Sequence, residues 1–277
     1  MIFRTVRQPE WWQGDDKYHA PAYTEPVSAL EKGLKAGEFV VACEIAPPPS
    51  MSTKKLVENI NLVKPYVTAI NFTDNASATP RMTSWACSQV AMNQGAEPVL
   101  QISARNRSRG SVQSEIIGAT ALGVRNVLCV TGDSARLSPS PRDNMQINDL
   151  DALQMLWVLR RMRDEGRYLD GREIKNPPMF FLGAAASPFS SNVKFQALRE
   201  QKKVNAGAQF FQTNLIFDVD GMETWLNELA KRDVLNKVYI LAGVTPIKSL
   251  KMAQKLAEVP GVFLPQEVLR RMEIADS

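Results

Sequence analysis

The chain has 277 residues, 44% of them hydrophobic, with 33 basic against 29 acidic side chains and a formal net charge of +4. That length and apolar content suit one sizeable core, because (β/α) barrels of roughly 250 residues fold as single domains. The mild basic excess is spread along the chain, with no basic run, zinc-finger spacing or aromatic RNP motif to mark a nucleic-acid binder. Three cysteines (Cys43, Cys87, Cys129) without CxxC spacing and a single histidine, His19, argue against a zinc site and against a Cys–His or Ser–His nucleophile pair. No signal-peptide pattern or membrane-length apolar run is legible, so the expectation is a cytoplasmic chain with no membrane partner.

Residues 1–27 read as an N-terminal extension packed on the domain formed by residues 28–277. The stretch RQPEWWQGDDKYHAPAYTEP is rich in proline, aromatics and charge without a period, and Trp11 and Trp12 suit either a strap on the barrel exterior or a partner-docking arm. SALEKGLKAGEF follows as a short helix, with Ser28 and Glu31 as a capping box and Gly37 at its end. Seven apolar runs then follow: 39–44, 67–74, 98–103, 126–133, 179–187, 210–218 and 238–246. Buried parallel strands read as continuous apolar runs. Between consecutive runs lies room for a helix, and helical spacing is clear over 52–65, 114–124, 151–165, 194–208 and 249–259. Alternation of this kind predicts a (β/α)8 TIM-type barrel with its site at the C-terminal strand ends. An eighth unit is hard to find. Residues 261–264 are short for a strand and 265–275 read as a helix, so the last strand–helix unit is either irregular or absent.

The strand ends carry the chemistry. Glu44 closes the first run before three prolines. A carboxyl in a dry mouth has a raised pKa and suits a general acid, whereas a nearby Lys or Arg would make it structural. Thr73, Asp74 and Asn75 suit either a helix cap or a polar cofactor. Gln101 precedes Arg105, Arg107 and Arg109, a guanidinium cluster suited to an anion or to plain surface charge. Thr131, Gly132 and Asp133 end the fourth run, where Gly permits close backbone approach and Asp can bond ring nitrogens. Gly183 to Ala186 are small, leaving room for a planar cofactor or for close packing. Lys202 and Lys203 are available to a phosphate or to solvent. Gln212 and Asn214 fall on one face of the sixth run by period two. No GxGxxG or P-loop pattern follows a strand.

These segments resemble the methylenetetrahydrofolate reductase family, flavin-dependent barrel enzymes of one-carbon metabolism and methionine biosynthesis. The carrying stretches are EFVVACEIAPPP, LQISARNRS, EIIGATALGVRNVLCVTGD, FFLGAAASP, KKVNAGAQFFQTNLIFD, LAGVTPIKSL and GVFLPQEVLRRM, in family order from about residue 28. The resemblance implies ping-pong hydride transfer. NAD(P)H reduces non-covalent FAD and leaves, then 5,10-methylenetetrahydrofolate takes its place and becomes 5-methyltetrahydrofolate. It implies Glu44 as the general acid that opens the methylene bridge, and Asp133 as a catalytic contact to the pterin. It places FAD on Thr73, Asp74, Ala76, Gln101, Thr131, Gly132, Asp149, Lys202 and Lys203, and substrate on Asp133, Gln212 and Asn214, with no metal. The sequence departs from the family at Asn214 (usually Gln), Gln101 (His in some members), Gln196 (an acid in some) and Ser187 (commonly Asn). It also lacks the usual final strand and helix. The alternative is a flavin-free or partner-dependent folate-binding methyl-transfer subunit on the same barrel, and either a homo-oligomer or a partner subunit is compatible with the chain.

Overall fold

The computed structural model describes residues 17–138, 147, 149–189 and 192–276. Helix α1 (Ala29–Lys35) leads into β1 (Ala42–Ile45), α2 (Lys54–Val63), β2 (Ala69–Phe72), α3 (Ser84–Asn93) and β3 (Pro98–Ser103). Then come α4 (Arg109–Ala121), β4 (Asn126–Val130), α5 (Ala152–Asp164), β5 (Phe181–Ala186), α6 (Val193–Asn205) and β6 (Phe210–Leu215). The chain continues through α7 (Val219–Ala230), β7 (Tyr239–Gly243), α8 (Leu250–Ala257) and α9 (Gln266–Asp276). The seven strands are parallel and lie in chain order, a nearly closed barrel of the TIM type that the alternation predicts, with seven strands in its sheet among the described residues rather than eight. Among the described residues no ladder joins β7 to β1. The short run at 261–264 gives a single parallel bridge, Phe263 to Ile216 just past β6, and no ladder to β7 or β1 among the described residues. No described helix is long and apolar enough to cross a membrane.

Period two decides what faces inward. Ala69, Val99, Leu128, Phe181 and Phe210, one from each of β2 to β6, pack together inside the barrel. Leu30 of α1 joins them, fully buried, and plugs the floor. The alternate residues Ile70, Phe72, Ile102 and Cys129 pack outward against the helices. Glu97 fixes the plug: its carboxylate accepts from the Ala29 and Leu30 amides at 2.6 and 2.9 Å, the favourable place for an anion on a helix. Ser28 caps α1 by accepting from the Glu31 amide. The expected capping box is not completed, because the Glu31 carboxylate turns to the Val27 amide (2.9 Å) and to Lys35. Gly37 follows the helix with φ +72°, the left-handed turn for which glycine is suited.

Some boundaries differ from the sequence reading. β1 begins at Ala42, and Phe39 is 96% exposed, so the apolar run starts before the strand does. α4 begins at Arg109 rather than Ser114, because Ser108 supplies an N-cap bond that apolar spacing does not register. Trp11 and Trp12 lie outside the described residues. Further on, the extension is held by Tyr23, whose hydroxyl bonds Gln209 under the floor, with Arg163 over its ring.

Gly183 settles one open alternative. A Cβ there would lie 2.3 Å from the Phe210 ring, so the space beside it is filled by that ring rather than left for a cofactor. Phe210 is itself stacked on Phe181 at 4.6 Å and cannot retreat. Gly183→Ala is therefore expected to destabilise the fold by about 2 kcal/mol through overpacking, read as a lower denaturant midpoint.

Candidate active site

Glu44 stands on β1 facing the lumen, since its neighbour Ile45 packs outward. Its Oε2 accepts from Asn71 Nδ2 at 2.9 Å and more weakly from Gln101 Nε2 at 3.4 Å. Solvent reaches the carboxyl through the open mouth, but protein atoms ring it. Desolvation pushes its pKa above the usual carboxylate range, against the pull of the two amide donors. Neither donor is a cation, so among the described residues the ion-paired structural alternative for Glu44 is not built.

At the mouth, several polar atoms are buried without a hydrogen-bond partner among the described residues. They are Asn71 Oδ1, Thr73 Oγ1, Asp74 Oδ1 and Arg105 Nε, all at the β2–β3 end of the mouth. Buried polar atoms are normally bonded, so such a group fits a polar ligand. The loops after β2 and β4 meet above it, where the Ser77 amide donates to Asp133 Oδ2 at 2.5 Å. Arg105 clamps both loops from below, donating to the Asn75 and Asp133 carbonyls. Gly132 has φ +89°, and a Cβ there would meet the Arg105 and Ser103 side chains at 2.9 and 3.1 Å. The close approach inferred for this glycine is thus, in this structure, to the chain itself.

Several residues singled out in the sequence are held by the protein. The Asp74 side chain has no exposure, and its Oδ2 accepts from the Ser103 amide and hydroxyl (2.8 and 2.9 Å) and from Arg107 (2.6 Å). Arg107 also pairs with Glu115. Asp149 is gripped by the Arg109 amide and guanidinium, whose hydrogen bonds hold its carboxyl below the usual range. The three arginines are therefore spent on loop carbonyls and carboxylates, not gathered as an anion site. Lys203 bonds the Ala185 carbonyl (2.6 Å) and the fully buried Glu200 (2.8 Å). Lys202, by contrast, is exposed on the same helix. Thr131 is exposed at the mouth and Ala76 lies in the exposed β2 loop. Gln212 is half-buried, and a register shift between Gln212 and Leu215 interrupts the period of two on β6. Asn214 there donates to Ser187 Oγ and to the Pro260 carbonyl, at 3.3 and 3.5 Å. Asn71 was missed in the sequence, where it sits inside an apolar run. Its signal was a lone amide at an inward position.

Fold and site together define a (β/α) barrel with a protonatable carboxyl and a partnerless polar group at its C-terminal mouth. The profile described as Methylenetetrahydrofolate reductase matches residues 29–277, and the chain belongs to that family. A Caenorhabditis elegans relative, "Probable methylenetetrahydrofolate reductase (NADPH)", is 22% identical over 65% of this chain but only 25% of its own length. The 5,10-methylenetetrahydrofolate reductase of Salmonella typhimurium is 19% identical over 83% of this chain and 72% of its own. Among solved structures, a Clostridium thermocellum protein that binds two copies of 5-methyl-5,6,7,8-tetrahydrofolic acid superposes with a TM-score of 0.62. It is 15% identical and covers 90% of this chain and 80% of that one, which supports the fold.

Proposed function

We propose that this chain reduces 5,10-methylenetetrahydrofolate to 5-methyltetrahydrofolate with NAD(P)H as reductant and FAD as carrier. The observation that carries the reading is Glu44, a lumen carboxyl with a raised proton affinity and no cation partner among the described residues, at a mouth that also holds buried polar atoms unpartnered among them. Protonated Glu44 gives its proton to one nitrogen of the methylene bridge. That C–N bond breaks, the other nitrogen becomes an iminium, and the exocyclic carbon accepts a hydride to become the methyl group.

The mouth fits a flavin in its polar parts. Bound flavin would supply hydride storage between two substrates that use one place in turn. Thr73, Gln101, Thr131 and the Gly132 backbone would face the ring system, and Ala76 lies in the loop above. Lys202 is the lysine suited to its phosphates. Lys203 and Asp149 serve instead to hold α6 and the β3–α4 turn. Asp133 would have to exchange the Ser77 amide for the pterin, with Gln212 and Asn214 completing the substrate wall. Lys202→Ala should weaken FAD binding about tenfold with little effect on unfolding, the loss of one charge-assisted contact. Lys203→Ala should instead lower stability, because it leaves Glu200 buried and unpaired. Flavin fluorescence titration and denaturant melts of the two variants separate these roles.

A second reading, the flavin-free or partner-dependent methyl-transfer subunit, draws on two features. Lys203 is already neutralised, and the outer edges of β1 and β7 are unpaired among the described residues, near exposed Phe39, Val41 and Val244. Unpaired strand edges invite another chain. Methylenetetrahydrofolate-dependent oxidation of NAD(P)H by the purified, FAD-loaded protein, with 5-methyltetrahydrofolate as product, supports the reductase. Folate binding without any flavin binding supports the alternative, and a light-scattering mass above that of one chain reports self-association.

A further inference from the structure

We propose that Asn71 is a positioning residue for the acid: with Gln101 it claims Oε2 of Glu44 and leaves the transferable proton to Oε1. The inference rests on the reductase reading for its meaning, but on geometry for its substance. Asn71 is 3% exposed and stands directly opposite Glu44 in the β1–β2 register. Its Nδ2 donates to Oε2 at 2.9 Å, and Gln101 Nε2, one strand further, reaches the same oxygen at 3.4 Å. An oxygen that already accepts two N–H groups is a poor place for a proton. A protonated carboxyl has one hydroxyl oxygen and one carbonyl oxygen, so the hydroxyl falls on Oε1. The arrangement selects which oxygen delivers the proton and holds the carboxyl against rotation, the kind of fixed geometry on which proton transfer depends.

Among the described residues the facing groups are few. β2 and β3 present the amides of Asn71 and Gln101, and the titratable neighbour on β1 is Cys43, whose own thiol is pushed up by burial and by Glu44. Both amides donate to the charged form and so favour it. Their removal should therefore raise the proton affinity of Glu44 while releasing its orientation.

The test uses Asn71→Leu, which branches at the same atom with the same number of side-chain heavy atoms and cannot donate, with Gln101→Leu as a second variant in case the first does not fold. The first readout needs no activity: the carboxyl carbon of Glu44, in protein labelled with 13C-glutamate and assigned with Glu44→Gln, is titrated by NMR. The expected result is about a tenfold rise in proton affinity for Asn71→Leu and a smaller rise for Gln101→Leu, whose bond is longer. An unchanged titration in the folded variants overturns the proposal whatever the enzyme does. The second readout is the single-turnover rate of the folate half-reaction against pH. For Asn71→Leu its plateau should fall about tenfold and its alkaline limb should move to higher pH, while flavin reduction by NAD(P)H keeps its rate; Gln101→Leu is read by the NMR titration alone. A parallel loss of both half-reactions would assign Asn71 a merely structural role and overturn the proposal. Absence of the folate half-reaction in the unaltered protein refutes the reductase reading instead, and the NMR titration still decides the geometry.

Discussion

Glu44→Gln should lower the rate of methylenetetrahydrofolate reduction about a thousandfold while leaving FAD binding and flavin reduction by NAD(P)H within a few-fold of the unaltered protein. The magnitude is that of a general acid removed from a site otherwise intact. The amide keeps the shape of the carboxyl and still offers an oxygen to Asn71 and Gln101, so the lumen wall should not collapse. The sign of the stability effect also follows. Folding raises the proton affinity of Glu44, so the native state binds more proton than the unfolded chain, and stability falls as pH rises from the ordinary carboxylate range through the raised pKa. A neutral glutamine removes that penalty, and the variant should melt at or above the parent at neutral pH. Stopped-flow measurement of the two half-reactions, with a thermal melt, checks both parts. A variant that reduces the folate at the normal rate would remove Glu44 from the mechanism.

Arg107→Met should cost about 4 kcal/mol, the scale of a buried carboxylate left without its cation. The Asp74 side chain has no exposure, and among the described residues Arg107 supplies the cationic contact to its Oδ2, at 2.6 Å. The two Ser103 donors remain in the variant but carry no full charge. Glu115, the other partner of Arg107, is 41% exposed and can be rehydrated at small cost. The denaturant midpoint should fall with an unchanged slope. Asp74→Asn in the same chain should recover part of the loss, because the stranded charge is then gone. A loss below about 1 kcal/mol would mean that Asp74 reaches another partner, and that the clamp beneath the mouth is not built as described.

How much of this was legible in the sequence depends on range. Strands showed themselves because parallel strands buried on both faces leave continuous apolar runs, and β3, Pro98–Ser103, falls where its run does. Strand ends were less legible where apolar residues spill into solvent, as Phe39 does before β1. Glu44 was legible because an acid at the end of an apolar run is a local anomaly. Its partner Asn71 was not, since register across a 27-residue separation decides that contact. The arginine cluster misled for the same reason. Composition sees three cations in one loop, while Asp74, Asp149 and the loop carbonyls that absorb them arrive from other strands and loops. Lys203 and Lys202 look alike in sequence, and only the turn of α6 places one of them over the buried Glu200. Even Gly183, read as room for a cofactor or as close packing, could be decided only once Phe210 was seen against it.

One mouth is expected to exchange a hydride between flavin and folate. The most direct measurement is anaerobic: saturate the purified protein with FAD, add 5-methyltetrahydrofolate, and follow the flavin absorbance band. Bleaching of the band is expected, with 5,10-methylenetetrahydrofolate appearing in proportion. A bound flavin that stays oxidised, or no flavin binding at all, would contradict it.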